Sequence, residues 1–264
     1  MKIGFIGLGN MARAMISGML AKEIAKPEEI LGYAKTEATR NAVKEKYGIC
    51  ILEDNVQVAA ESDVLILAVK PQMFGSVIPQ IKDSFRKDAL LISIAAGKTI
   101  DRIQEEFGRK LKLVRCMPNT PAMVGEGCSG VCRSGLVSDE EMSRCMKLLE
   151  SFGIAQEVPE TLMDAVVGVS GSSPAFVFMF MEALADGAVK AGMPRKQAYK
   201  FAAQTVLGSA KLMLETEMHP GELKDMVCSP GGTTIEGVKA LEEMGFRSAV
   251  MNAVEACVDK SKNM

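Results

Sequence analysis

Gly7, Gly9 and Ala12 stand at the spacing G-x-G-x-x-A, directly after the apolar run Ile3 to Ile6 and at the head of a helical pattern. Gly7 permits a tight turn, Gly9 leaves room for a pyrophosphate against the backbone, and a small third residue lets helix and strand pack closely. The free N–H groups at the positive end of the new helix, around Asn10 and Met11, would hold the diphosphate of a dinucleotide. A second polar constellation lies far along the chain. Ser170-Gly171-Ser172-Ser173-Pro174 and Ser229-Pro230-Gly231-Gly232-Thr233-Thr234 each precede a helical pattern and offer hydroxyls with free backbone N–H groups. Such groups suit a small carboxylate, although each segment reads equally as a plain helix N-cap. The single histidine, His219, stands beside Pro220 and reads as a turn residue. With no histidine dyad and no nucleophile elbow, the chemistry that fits is hydride delivery to a C=N bond, since a protonated imine is activated by its own charge.

Groups so far apart need a framework that brings strand ends together. After the first helix, Ile30 to Ala34 reads as a strand, Thr36 to Tyr47 as a polar helix and Ile49 to Leu52 as a short strand. Val64 to Val69 is continuously apolar, the mark of a parallel strand covered on both faces. Leu90 to Ala95 and Leu113 to Cys116 repeat that character with helical segments between them. The alternation predicts an α/β fold: an N-terminal Rossmann-type doubly wound parallel sheet. Gly127 to Cys132 and Ala155 to Val158, flanking a helix near Asp139 to Ser151, complete that sheet. From about Leu162 no strand signal returns. Ser173 to Ala191, Pro194 to Glu217, Gly221 to Val227, Thr234 to Met244 and Phe246 to Lys260 all read as helices. Two domains are therefore expected, a dinucleotide-binding domain over 1–159 and an all-helical C-terminal substrate-binding and dimerisation domain over 160–264. Several of these helices are apolar on more than one face and need a cover. An identical partner chain supplies one; a compact Met-rich bundle is the alternative.

Three strand ends would line the crevice. Tyr33-Ala34-Lys35-Thr36 carries no acid until Glu37, so Lys35, Thr36 and Arg40 could take a 2′-phosphate. This favours NADP(H) over NAD(H), because an acid at that place binds the free ribose hydroxyl and repels a phosphate; Lys35 reads otherwise as a solvated loop charge. Asn55 is placed for the adenosine end, or for an Asx turn with Glu53 and Asp54. Ala68-Val69-Lys70-Pro71-Gln72 ends the buried strand with Lys70 aimed at the crevice. Ser93 to Gly97, including Ala96, leaves room for a flat ring, and Met117-Pro118-Asn119-Thr120-Pro121 ends the strand after it.

Composition excludes other classes. A net charge of −2 over 264 residues provides no field to attract nucleic acid or an anionic membrane. No uninterrupted apolar run approaches the about 20 residues needed to cross a bilayer, and the start of the chain does not resemble a signal peptide. Seven scattered cysteines without a C-x-x-C pair read as small buried hydrophobes of a reducing compartment rather than as a disulfide or metal framework. A cytoplasmic protein without a metal is expected.

Gly7-Leu8-Gly9-Asn10-Met11, Ala68-Val69-Lys70-Pro71-Gln72, Ala95-Ala96-Gly97, Met117-Pro118-Asn119-Thr120-Pro121, Ser170 to Ala175 and Leu223-Lys224-Asp225 through Ser229 to Thr234 occur in that order. The chain thereby resembles the pyrroline-5-carboxylate reductases over essentially its whole length, with Ser229 to Thr234 the most specific element. The resemblance implies NAD(P)H-dependent reduction of 1-pyrroline-5-carboxylate to L-proline and a dimer of intertwined C-terminal helices, commonly assembled into a decamer. It also implies that Thr234 bonds the ring nitrogen, that Ser229, Gly232 and Thr233 hold the carboxylate, partly from the partner subunit, and that Glu160 lies near the substrate. Lys70 and Pro71 would flank the nicotinamide. Met226 departs from the pattern, standing where some relatives carry asparagine, which puts one polar substrate contact in question. A β-hydroxyacid dehydrogenase is the alternative enzyme. It would need a catalytic lysine about a turn into the helix after Gly171, where this chain has Phe176 to Met181 and no lysine before Lys190. A non-catalytic NADP-binding scaffold would have no use for the hydroxyl-rich segment at Ser229.

Overall fold

The computed structural model describes residues 1–263. Strand β1 (Ile3–Ile6) turns through Gly7 into helix α1 (Asn10–Ala21), and β2 (Ile30–Tyr33), α2 (Glu37–Tyr47), β3 (Cys50–Ile51), α3 (Asn55–Glu61) and β4 (Val64–Leu67) follow. Next come α4 (Phe74–Ile81), β5 (Leu90–Ser93), α5 (Ile100–Phe107), β6 (Leu113–Met117), β7 (Gly127–Arg133), α6 (Asp139–Leu149) and β8 (Gly153–Glu157). The eight strands form one sheet in the order β3-β2-β1-β4-β5-β6-β7-β8. The first six run parallel, as the alternation predicts. β7 lies antiparallel to β6 and β8 parallel to β7, so the two added strands run against the rest. β1, β4 and β5 are buried along their whole length, because helices cover both faces. One core packs α1 and α6 on one side, and a second packs α3, α4 and α5 on the other.

Strand order reverses between β1 and β4, which makes their carboxyl ends a topological switch point, the place where such sheets bind ligands. Local chemistry sets the helices that frame it. Asp54 caps α3 by accepting from the Gln57 N–H at 2.8 Å, Thr99 caps α5, and Ser138 with Glu141 forms a capping box on α6.

The remainder is helical: α7 (Met163–Val166), α8 (Ser173–Lys190), α9 (Arg195–Thr216), α10 (Pro220–Val227), α11 (Thr233–Glu243) and α12 (Phe246–Lys262). No strand follows β8 among the described residues. Two compact units emerge, one of residues 1–172 with 256–264, the other of residues 173–255. Within the second unit α8 and α9 lie against each other through Ala185, Ala198 and Ala202. Those alanines are the only residues of the two helices that are fully buried, while Phe178, Met179, Phe201 and Leu214 stay exposed.

Two expectations change. α8 begins at Ser173 as expected, but Ser170 to Ser172 are no capping loop: a π-helical turn, Val167–Ser172, joins α7 to α8 without a break. That continuity makes Glu160–Lys190 a single helical stretch long and apolar enough, by length and composition, to cross a membrane. An uninterrupted apolar run, which is what the sequence lacks, is a narrower test than a helix with a few polar residues.

Candidate functional site

Gly7 carries a φ of 94°, a conformation that L side chains rarely adopt, and its amide donates to Tyr33 O at 2.9 Å. A Cβ there would lie 2.7 Å from Ala68 O, so β1 and β4 can leave the sheet side by side only if residue 7 is glycine. Leu8 is buried under the turn while Gly9 and Asn10 face outward. Arg13 Nε donates to Leu8 O at 3.0 Å and steadies the loop. Gly9 differs from Gly7 in one instructive way. A Cβ on it would meet no protein atom within 4 Å, so nothing in the chain itself requires glycine there. Gly9 is also the N-cap of α1 and gives the first turn no side-chain acceptor. An open space over uncapped amides, at a switch point, fits a diphosphate.

At the end of β2, Arg40 folds back over the loop: Nη1 donates to Ala34 O at 2.7 Å and to Lys35 O at 3.1 Å, and the guanidinium sits 5.5 Å from the Tyr33 ring centre. Lys35 and Thr36 are exposed beside it. Lys35 and Arg40 thus bring two cations to the end of β2. Asn55 Nδ2 donates to Gln80 Oε1 at 3.0 Å, and Asp54, not Asn55, makes the side-chain turn at the head of α3.

Beyond β4, Ala68 is half-buried and Lys70 exposed, and Pro71 starts a 3-10 turn, Pro71–Met73. Ala96 is half-buried beyond β5, next to Gly97 with its φ of 70°. Glu160 is engaged within the first unit: Oε1 accepts from the Ile100 N–H at 2.8 Å, at the head of α5, and from Arg115 Nη1 at 3.2 Å. Arg115 is 5% exposed, so its charge is compensated by this one carboxylate. Sequence reasoning passed over Arg115, although a lone cation in the buried run Leu113-Val114-Arg115-Cys116 must find a counter-charge.

In the second unit, Ser229-Pro230-Gly231-Gly232 closes a tight turn in which the Gly232 N–H donates to Ser229 O at 3.0 Å. Gly231 has a φ of 67°. A Cβ on Gly232 would lie 2.5 Å from Ser229 Oγ, so that hydroxyl is held against the turn. Gly232 is the N-cap of α11 and supplies no side-chain acceptor, leaving the amides of Thr233, Thr234 and Ile235 without a capping group. Thr234 is half-buried and Ser229, Thr233 and Met226 are exposed. His219 caps α10 through Nδ1, which accepts from the Gly221 N–H at 3.1 Å, as expected of a turn residue. The seven cysteines are all free. Burial pushes the Cys132 and Cys145 thiols up to about 12, which keeps them protonated and inert at neutral pH. No group of three or more His, Cys, Asp or Glu side chains suited to a metal occurs among the described residues.

A glycine-turned switch point in a doubly wound sheet, followed by a helical region, defines an oxidoreductase of the dinucleotide-binding class. Residues 2–97 match the family model described as NADP oxidoreductase coenzyme F420-dependent, and residues 160–264 match that of pyrroline-5-carboxylate reductase dimerisation. The pyrroline-5-carboxylate reductase of Escherichia coli (strain K12) is 49% identical over 263 residues, covering 100% of this chain and 98% of that protein. The solved pyrroline carboxylate reductase of Plasmodium falciparum with NADP bound is 35% identical with a TM-score of 0.90, over 99% of this chain and 97% of that one. The reductase structure from Coxiella burnetii, also 35% identical, gives a TM-score of 0.92 over the same shares of the two chains. The chain belongs to the pyrroline-5-carboxylate reductase family.

Proposed function

We propose that this chain reduces 1-pyrroline-5-carboxylate to L-proline, the last step of proline biosynthesis, with NADPH as the preferred donor and NADH as a weaker one. The observation that carries the proposal is the open, uncapped Gly9 turn at the β1–β4 switch point, in a chain matched end to end by pyrroline-5-carboxylate reductases. NADPH, when bound, supplies a hydride to the imine carbon. Gly7, Gly9, Asn10 and Met11 hold the diphosphate on the free amides of α1. Ala34 and Lys35, with Arg40, receive the 2′-phosphate, and Asn55 borders the adenosine. Ala68, Lys70, Pro71 and Ala96 flank the nicotinamide, with Lys70 adding a positive field beside it.

On the substrate side, the uncapped amides of α11 and the hydroxyls of Ser229 and Thr233, together with Gly232 and partly from the partner subunit, hold the carboxylate. Thr234 bonds the ring nitrogen, and Glu160 lends negative charge near the iminium. As the new C–H bond forms, the C=N π pair moves onto nitrogen, which keeps its proton and becomes the secondary amine. No general acid is needed if the substrate arrives protonated, which agrees with the absence of a histidine dyad. The β-hydroxyacid dehydrogenase alternative lacks its lysine, since Lys190 is the last residue of α8.

The division into a nucleotide domain over 1–159 and a substrate-binding and dimerisation domain over 160–264, the assembly of dimers into a decamer, and a cytoplasmic setting away from membranes and nucleic acid belong to the same proposal. Seven free cysteines and a near-neutral charge support that setting. The apolar character of Glu160–Lys190 is accounted for by its place inside the dimerisation match. The direct test follows NADPH absorbance with purified protein and pyrroline-5-carboxylate. Consumption with proline as product is expected, and an inert protein in buffered, reducing conditions refutes the proposal.

A further inference from the structure

The π turn between α7 and α8 is held in an unusual way. Pro174 has no N–H to give to Ser170 O, the carbonyl four residues earlier that an α-helix would pair with it. Asn119 Nδ2 donates to that carbonyl instead, at 3.0 Å. Ser170 Oγ donates to Val166 O at 3.0 Å, one of the other carbonyls at the widened turn. The opposite end of the Asn119 amide is committed too: Oδ1 accepts from the Cys128 N–H at 2.8 Å. β6 and β7 pair with Met117 opposite Gly130, and continuing that register places Asn119 opposite Cys128. Its side chain therefore extends the strand pairing past the end of β6 and reaches from there to the turn. Asn119 is only 8% exposed. Glycines make the approach close on both sides. A Cβ on Gly171 would lie 2.9 Å from Met117 Cε, and one on Gly130 would lie 2.5 Å from Val166 Cγ1.

We infer that Asn119 is a positioning residue for the reduction: its amide locks the π turn Val167–Ser172 in one register on the carboxyl end of β6, at the border of the crevice assigned to the nicotinamide. The inference rests on the activity proposed above. π turns recur at functional sites because the inserted residue re-aims the groups around it. Here the Pro174 nitrogen that cannot donate, the two ends of the Asn119 amide and the Ser170 hydroxyl on Val166 O all act on the insertion. A register slip would move Ser170, Gly171 and Ser172 across Met117 and reshape the edge against which the ring must lie. Misplacement on the scale of 1 Å costs up to about a hundredfold in rate.

Asn119→Asp tests this, since it keeps the shape and the acceptor for Cys128 but sets an oxygen against Ser170 O. The expected result is a kcat lower by about tenfold to a hundredfold. NADPH affinity by fluorescence titration should stay within about twofold, and the deuterium isotope effect with NADPH labelled at nicotinamide C4 should rise as hydride transfer becomes limiting. Amides of residues 167–173 should exchange faster in NADPH-free protein. An unchanged kcat and isotope effect overturns the inference, and so does a parallel fall of kcat, NADPH affinity and melting temperature. Pro174→Ala gives Ser170 O a helical donor, so in that background Asn119→Asp should cost less than about a third as much in kcat. Equal cost in both backgrounds overturns the inference as well. If Asn119→Asp does not fold, Asn119→Ser is read in the same two backgrounds with the same outcomes. An inert wild-type enzyme would refute the activity, while the exchange measurement would still report on the turn.

Discussion

Lys35 and Arg40 both stand at the end of β2, but they are held differently. Arg40 is fixed by two carbonyls and the Tyr33 ring, whereas Lys35 is exposed and free to follow a ligand. Lys35→Glu should therefore weaken NADPH by about tenfold or more and leave NADH nearly untouched, through charge repulsion at a few ångströms. The ratio of the two KM values reads it, and a constant ratio removes Lys35 from the site. Thr234→Ala should lower kcat by about tenfold, the usual scale for one hydrogen bond in a reacting complex, with NADPH affinity kept. Loss of both together would make Thr234 a fold residue. At this scale the glycine turn and the strand-end motifs were legible because each occupies a short local segment. Arg115 and the role of Asn119 were not, because the partners that define them, Glu160 and Ser170, lie 45 and 51 residues away.

The βα turn shows that two glycines of one motif answer to different constraints. Gly7→Ala should destabilise the fold by about 1–3 kcal/mol through its left-handed backbone and the approach of Ala68 O. Gly9→Ala should leave the melting temperature alone and weaken NADPH, since open space surrounds it. Thermal unfolding and cofactor titration of both variants separate the two roles, and a shared phenotype contradicts the assignment. Strand positions were readable from apolar runs bounded by turns. The start of α8 at Ser173 was readable, but the π turn before it was not, because Ser-Ser-Pro is also the chemistry of a freshly capped first helical turn. A side chain donated from the end of β6 decides between the two, and no local pattern encodes it.

For the whole molecule, the second unit leaves its apolar surface unpaired in a single chain: Phe178 is 62% and Leu214 73% exposed. Side chains of this size contribute about 1.5–3 kcal/mol each when fully covered, and this stretch lies inside the dimerisation match. Phe178→Glu with Leu214→Glu should yield a smaller species by light scattering and a lower melting temperature than the parent. An unchanged mass would show that these faces are not the covered ones. The all-helical second half was legible, but not which faces meet, because helices apolar on several sides carry no single stripe.

The end of α12 belongs to the first compact unit, where the buried Ser261 hydroxyl donates to Asp164 Oδ1 at 2.7 Å. Among the described residues, the chain therefore leaves the sheet-bearing body once and returns to it through the end of α12. A sheet-bearing unit excised at residue 172 and grafted into another protein would travel without the last turns of α12. A version split between the two units should therefore work only if the end of α12 is carried by, or docks back onto, the amino-terminal fragment.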